Sequence, residues 1–304
     1  MLRRLESFVD EWIAYHRLLG VDHFYLYDND PEFSLARILE RHAGYATIIP
    51  FPHAYAQRRA YAHFLRNFGR ETRWVAYIDC DEFINLKRHD SIGEFLRCLE
   101  AFDSIAINSI RFGHNGHEEA LRQLSLTAFT TSGGFHPLAK SITKTAKIRM
   151  INGAHAQYLT YGSVAANANR TVIPSASNTQ REIFGPDGTK VTDIVQINHY
   201  YLRTMSDWTQ RYYRGKVSTA FRELKSLEDN QAKFERFAET LNGVSDESLI
   251  HHAPKVVRYL SDLYDFQWRA YYDEHREEIG APDEALSLHH FIVNRARSRA
   301  RDAS

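Results

Sequence analysis

The run Trp74-Val75-Ala76-Tyr77-Ile78-Asp79-Cys80-Asp81-Glu82-Phe83 is an apolar stretch that ends on three carboxylates within four positions. If the segment is extended, side chains alternate, so Asp79 and Asp81 project to the same side. Two carboxylates projecting together from the C-terminal end of a strand can hold a hard divalent cation. In an open α/β sheet that end of a strand is also where ligands bind. A D-x-D taken alone reads more readily as an acidic loop capping the next helix, so the surrounding chain has to decide.

The elements that must position these carboxylates alternate. Leu5, Phe8, Val9, Trp12, Ile13, His16 and Leu19 recur at helical spacing, and Gly20 is a natural stop. Asp22–Tyr27 reads as a strand ending in Asp28-Asn29-Asp30-Pro31, and Ser34–His42 as a helix. Tyr45–Phe51 is a short strand, Ala54–Phe68 a helix, and the Trp74 segment a strand. That alternation predicts crossover connections and a mostly parallel α/β sheet flanked by helices. Further on, Ser91–Phe102 is a helix with Ser91 as N-cap and Glu94 as its capping-box partner. Ser104–Ile110, Ser141–Asn152, Gln157–Tyr161 and Asp193–Tyr201 read as strands. Thr160–Asp193 reads as a long surface excursion. From about Ser206 the chain reads as charged amphipathic helices, with a basic end at Arg295–Arg301 whose simplest account is a solvated helix terminus.

With 304 residues and 43% hydrophobic content, the chain suits one α/β domain with a helical annex. Lysine plus arginine equals aspartate plus glutamate at 38 each, so no global field argues for nucleic acid. Cys80 and Cys98 are too few for a disulfide framework. No apolar run approaches the roughly 18 residues of a membrane span. Met1-Leu2-Arg3-Arg4-Leu5-Glu6 lacks the apolar core of a signal peptide. The expected location is therefore cytoplasmic. The amphipathic C-terminal helices could support peripheral contact with the inner membrane face, or pairing with another subunit.

Six ordered blocks together resemble the glycosyltransferase family 2-like and family 92 group. They are Glu11–His16, Leu19–Asn29, Trp74–Phe83, Phe112–His117, His136–Ile142 and Gln196–Leu202, and the resemblance covers about residues 6–216. It implies a GT-A-like fold over residues 1–216, with a C-terminal helical extension over 217–304. It also implies a nucleotide-sugar donor, with a UDP-sugar foremost, and a glycan or lipid-linked acceptor. The implied cofactor is a divalent metal, Mn2+ or Mg2+, and the implied stereochemistry is inversion.

Carried onto this sequence, the resemblance makes Asp81 the metal-binding acid, with Asp79 reaching the donor ribose or the metal. Glu82 would point the other way in an extended segment and reads as structural. His199, which ends an apolar strand, is the second metal candidate, since neutral imidazole suits manganese. Asp28 and Asn29 would lie near the base or ribose, though an Asx-turn explains them equally. Gln57 is a further nucleotide candidate, and Lys140 and Lys216 are candidates for diphosphate contacts. The general base is open between Glu118 or Glu119 and the competing Asp193.

The family opens with an apolar strand leading into an Asn-Glu or Asp-Glu pair, and here only the acidic residue is left. The expectation is a natural start upstream and a missing first strand, which would leave two sheet neighbours without their shared partner. The leading function is thus a metal-dependent glycosyltransferase. The alternatives are a sugar-nucleotide hydrolase and a non-catalytic carbohydrate-binding or scaffolding protein.

Overall fold

The computed structural model describes residues 6–29, 42, 44–53, 55–119, 121, 123–136, 139–155, 157–173, 191–214 and 227–263. The chain opens with α1 (Glu6–Leu18), closed by Gly20 at φ +95°. Then come β1 (Phe24–Asp28), β2 (Ala46–Pro50), α2 (Ala56–Asn67) and β3 (Trp74–Ala76). β4 (Glu82–Leu86), α3 (Ile92–Cys98), β5 (Ser104–Ile107) and β6 (Ser109–Phe112) follow. After α4 (Ser125–Ala128) come β7 (Thr131–Phe135), β8 (Lys140–Lys144), β9 (Ile148–Met150) and β10 (Tyr158–Leu159). Next are β11 (Ala165–Asn167), β12 (Val172–Ile173) and β13 (Val195–His199). α5 (Met205–Arg214), α6 (Leu227–Leu241), β14 (Val244–Ser245) and α7 (Ala253–Leu263) complete the series.

Two five-stranded sheets carry the fold, in orders β12-β11-β5-β8-β3 and β14-β7-β6-β13-β4, beside the separate pairs β1-β2 and β10-β9. The expected mostly parallel sheet is not what forms. Only β1–β2, β11–β5 and β13–β6 pair parallel among the described strands, and the other pairings are antiparallel. The reason lies in two short connections. A parallel neighbour needs a crossover of a dozen or so residues, yet β5 and β6 are separated only by Asn108, and β3 and β4 by a tight turn. Both connections instead pass the chain from one sheet to the other. The strands expected over Trp74–Phe83 and Ser104–Ile110 are therefore each two shorter segments. The Thr160–Asp193 excursion likewise contains β11 and β12, with residues 174–190 outside the described set.

β4 lies at the edge of its sheet, and α1 covers that edge with polar side chains. Trp12 Nε1 donates to the Glu82 carbonyl (2.8 Å), and the Tyr15 hydroxyl donates to the Ile84 carbonyl (2.7 Å). The Ile84 N–H donates to His16 Nε2 at 3.2 Å. Backbone groups that an open edge would leave unpaired are thereby satisfied inside the core. The Glu11–His16 block is the sequence trace of this cover.

His16 has a defined tautomer. Its Nδ1 donates to the Trp12 carbonyl (2.8 Å), so the Nε2 that accepts from Ile84 must carry a lone pair. Burial pushes its pKa down to about 4, partly opposed by the bond to Trp12. A lowered histidine contributes full stability above its unfolded pKa near 6.5 and loses it as the pH falls towards 4. Denaturant unfolding is expected to show about 3 kcal/mol lost over that window from this group. A His16→Gln variant is expected to flatten the slope, and an unchanged slope would refute the assignment.

The boundary expected at 216 does not separate two cores among the described residues. β14 pairs with β7, and Val256, Val257 and Leu260 of α7 are buried with α1 in the main core. Gly133 in β7 makes the α6 approach feasible, because a Cβ there would lie 1.6 Å from the Thr240 carbonyl oxygen. The expected Ser91 cap is present, accepting from the Glu94 N–H at 3.2 Å. Glu94 reaches back to the Asp90 N–H rather than to Ser91. Residues 1–5, where the expected first strand would be judged, lie outside the described residues, as do the Ser34–Arg41 part of the expected helix and the basic end at 295–301. Among the described strands, β1 pairs only with β2 and β3 only with β8.

Candidate active site

The D-x-D-E run is a turn, not the end of a straight strand. The Glu82 N–H donates to the Asp79 carbonyl (3.0 Å), and the Asp79 N–H donates to Glu82 Oε2 (2.9 Å). Strand alternation therefore does not apply across residues 79–82. Glu82, expected to point away, is turned inward and is 2% exposed. The Tyr200 N–H donates to the Asp81 carbonyl (2.9 Å), which ties the turn to the end of β13.

Lys140, the first residue of β8, is buried against this turn. Its Nζ lies 2.8 Å from Glu82 Oε2 and 3.3 Å from Asp79 Oδ2. Burial would pull the ammonium pKa down, but the two carboxylates outweigh it and hold Lys140 above its usual value. Burial likewise favours the neutral form of Asp79, yet Lys140 and the other nearby positive charges, His199 among them, together outweigh it and the net shift is downward. For Glu82 burial wins over Lys140, and its pKa is raised. The lysine expected to meet a diphosphate thus has its charge engaged inside the protein.

His199 stands opposite Glu82 in the β13–β4 register. Its Nε2 is 3.6 Å from Asp81 Oδ2 and its Nδ1 is 3.7 Å from Glu82 Oε1, both too long for hydrogen bonds. Nδ1 is buried without a hydrogen-bond partner. From α5, Arg211 donates Nη2–H to Asp81 Oδ2 at 2.8 Å and Nη1–H to the Tyr201 carbonyl at 3.0 Å. Burial alone would raise the Asp81 pKa, but His199 and Arg211 hold it well below the ordinary carboxylate range. Beside the cluster, the rings of His136 and His155 stack at 5.4 Å, and His136 lies 6.0 Å from His199. Burial pushes His155 down to about 4, helped by Lys140 and His136.

The donor set of Asp81 and His199 suits a hard or borderline divalent cation. A carboxylate oxygen and an imidazole nitrogen lie 3.6 Å apart, and Glu82 stands behind the other ring nitrogen. At 3.7 Å the Glu82 carboxylate lies near that nitrogen without hydrogen-bonding it. Among the described residues, no group of three His, Cys, Asp or Glu side chains forms a complete cage. Two protein ligands completed by substrate phosphates is how Mg2+-type sites are commonly built.

The remaining expected residues divide. Asp28 is buried at the end of β1, and its carbonyl accepts from the Phe51 N–H at 2.6 Å. Asn29 spends its amide on the Phe51 and His53 carbonyls (2.7 and 3.0 Å), so it pins the strand ends together. Gln57 bonds the Tyr61 hydroxyl (3.3 Å), and Tyr61 feels the charges of Asp79 and Lys140. Glu118 and Glu119 are exposed, and the Glu118 carbonyl accepts from Ser206 at the head of the helix that carries Arg211. Asp193 is not brought to the cluster: it precedes β13, at the opposite end from His199, and pairs with Arg88 at the surface. Lys216 lies outside the described residues. Sequence reasoning missed Arg211 and His155 as neighbours of the site. No spacing marks either, although Arg211 falls within the aromatic-basic run that leads to Lys216.

A family profile described as Glycosyltransferase family 92 matches residues 6–256. A glycosyltransferase family 92 protein of Ricinus communis is 25% identical over 233 residues, covering 72% of this chain and 37% of the relative. One of Oryza sativa subsp. japonica is 26% identical over 183 residues, covering 57% and 31% respectively. One of Arabidopsis thaliana is 29% identical over 103 residues, covering 31% and 17%. The chain spans 37% or less of the length of the curated relatives it matches.

Proposed function

This chain belongs to glycosyltransferase family 92, and from that premise we propose that it moves a sugar from a nucleotide-sugar donor, a UDP-sugar foremost, to a glycan or related acceptor. The observation that carries this reading is the convergence of Asp81, His199 and Arg211. They come from the β3–β4 turn, the end of β13 and α5.

Asp81 and His199 would hold the divalent cation, Mn2+ or Mg2+, which when bound supplies positive charge to the departing diphosphate. Lys140 pairs with the buried Glu82 and the half-exposed Asp79 and so fixes the turn. Glu82 places negative charge beside His199, 3.7 Å from Nδ1. Arg211 balances Asp81 and retains N–H donors that suit a phosphate oxygen. Glu118 or Glu119 takes the acceptor proton in an inverting displacement. A GT-A-like donor domain and a cytoplasmic location belong to the same proposal. No described helix is long and apolar enough to cross a membrane.

The test is product analysis with manganese and UDP-, GDP- and CMP-sugars, run with and without glycan acceptors. Transfer is expected only with an acceptor. Release of free sugar at the same rate without acceptor would make the protein a hydrolase. No turnover of any donor would favour a binding or scaffolding role.

A further inference from the structure

α2 separates two regions of different chemistry. Gln57 and Tyr61 occupy the face turned towards Asp79 and Lys140. At roughly 100° per residue, Arg59, Ala62, His63 and Arg66 fall on the other side of the helix. There they line a cavity of about 490 Å3 together with His53 after β2 and Arg149 of β9.

The walls of this cavity combine charge with apolar surface. Phe51, Leu65 and Ile151 contribute the apolar part. Phe51 is flanked by imidazoles, with His53 at 4.5 Å and His63 at 5.9 Å between ring centres. His63 is fixed in turn by Nδ1 against the Tyr27 hydroxyl at 2.9 Å. Arg59, Arg66 and Arg149 form no ion pair among the described residues, and no described carboxylate lines the cavity. Three like charges on one concave wall repel one another, and low-dielectric walls focus their field. An oxyanion relieves that repulsion, and guanidinium is the side chain matched to phosphate in both charge and fork geometry.

We propose that this cavity is a second anion site that takes the phosphoryl group of a phosphorylated ligand, apart from the carboxylate site on the other side of α2. The proposal does not depend on the transfer reaction. The phosphoryl group could be carried by a soluble phosphate or by a lipid headgroup, and the experiment separates these sources.

The probe is inorganic pyrophosphate, titrated calorimetrically into the full chain in EDTA, so that no cation recruits it to Asp81. A second arm measures co-sedimentation with phosphatidylcholine vesicles, with and without phosphatidic acid. Arg59→Gln/Arg149→Gln is compared with the wild type, after confirming equal melting temperatures, since both arginines are exposed. Pyrophosphate binding weakened about ten- to hundredfold in the variant would support a soluble phosphate. Binding confined to phosphatidic acid vesicles, and lost in the variant, would support a lipid headgroup. Equal binding by both proteins, or none to either probe, would overturn the proposal. So would loss of a manganese-dependent nucleotide-sugar melting shift in the variant, because the cavity would then be part of the donor site.

Discussion

Asp81→Asn is expected to lower transfer, measured as kcat/KM for the donor, by at least about a hundredfold while the chain still folds. The isostere keeps the shape of the turn and the Tyr200 N–H bond to the residue 81 carbonyl, but removes the charge that His199 and Arg211 surround. A cation that stabilises a leaving diphosphate supplies several kcal/mol of the barrier reduction, which corresponds to a loss of that order when its carboxylate ligand is gone. Folding should suffer less, because Arg211 is 30% exposed at its side chain and can rehydrate. Donor turnover by the purified variant beside a denaturation curve checks both halves. Near-normal turnover would remove Asp81 from the site.

Lys140→Met should have the largest effect on stability, a loss of about 3–5 kcal/mol. Met fills similar volume, so the change is mainly electrostatic. Its removal strands Glu82, which is 3% exposed at its side chain, without its cation, whereas Asp79, 38% exposed, can rehydrate. Breaking a buried pair from one side costs this much because the remaining charge has neither water nor partner. Adding Glu82→Gln is expected to restore part of the loss, since the amide oxygen can still accept the Asp79 N–H. Urea unfolding of the single and double variants tests this. A single-variant loss below about 1 kcal/mol would mean that Lys140 is not the counter-ion of the turn.

The residue types of the cluster are more legible in the sequence than its geometry. Asp81 and His199 both end apolar runs, and the fold brings their side chains to 3.6 Å. Glu82 was misplaced because strand alternation was extended through residues 79–82, where the chain turns. A lysine beginning a strand looks the same in sequence whether it meets solvent, a phosphate or two carboxylates, and Lys140 lies between Glu82 and Asp79. Arg211 reaches Asp81 across 130 positions, and no local period encodes such a contact.

The fold shows the same division. The Ser91 cap and the Gly20 stop are local signals, and they hold, while the Glu94 side chain takes the Asp90 N–H instead of the Ser91 N–H. The sheet order was not readable from alternation, because it depends on Asn108 and the Asp79–Glu82 turn sending consecutive strands into different sheets. Trp12 and His16 fall on the helical face read from the spacing, and Tyr15 does not. That they pair with the backbone of β4 is tertiary information.

The central claim is that Asp81 and His199 hold a cation that receives a nucleotide-sugar. The most direct measurement is thermal denaturation with manganese and UDP-, GDP- and CMP-sugars, on the wild type and on Asp81→Asn. Ligands that bind only the native state raise Tm, so no acceptor is needed. A rise is expected with one nucleotide that requires manganese and disappears in the variant. A rise that survives in Asp81→Asn, or none with any donor, would contradict it.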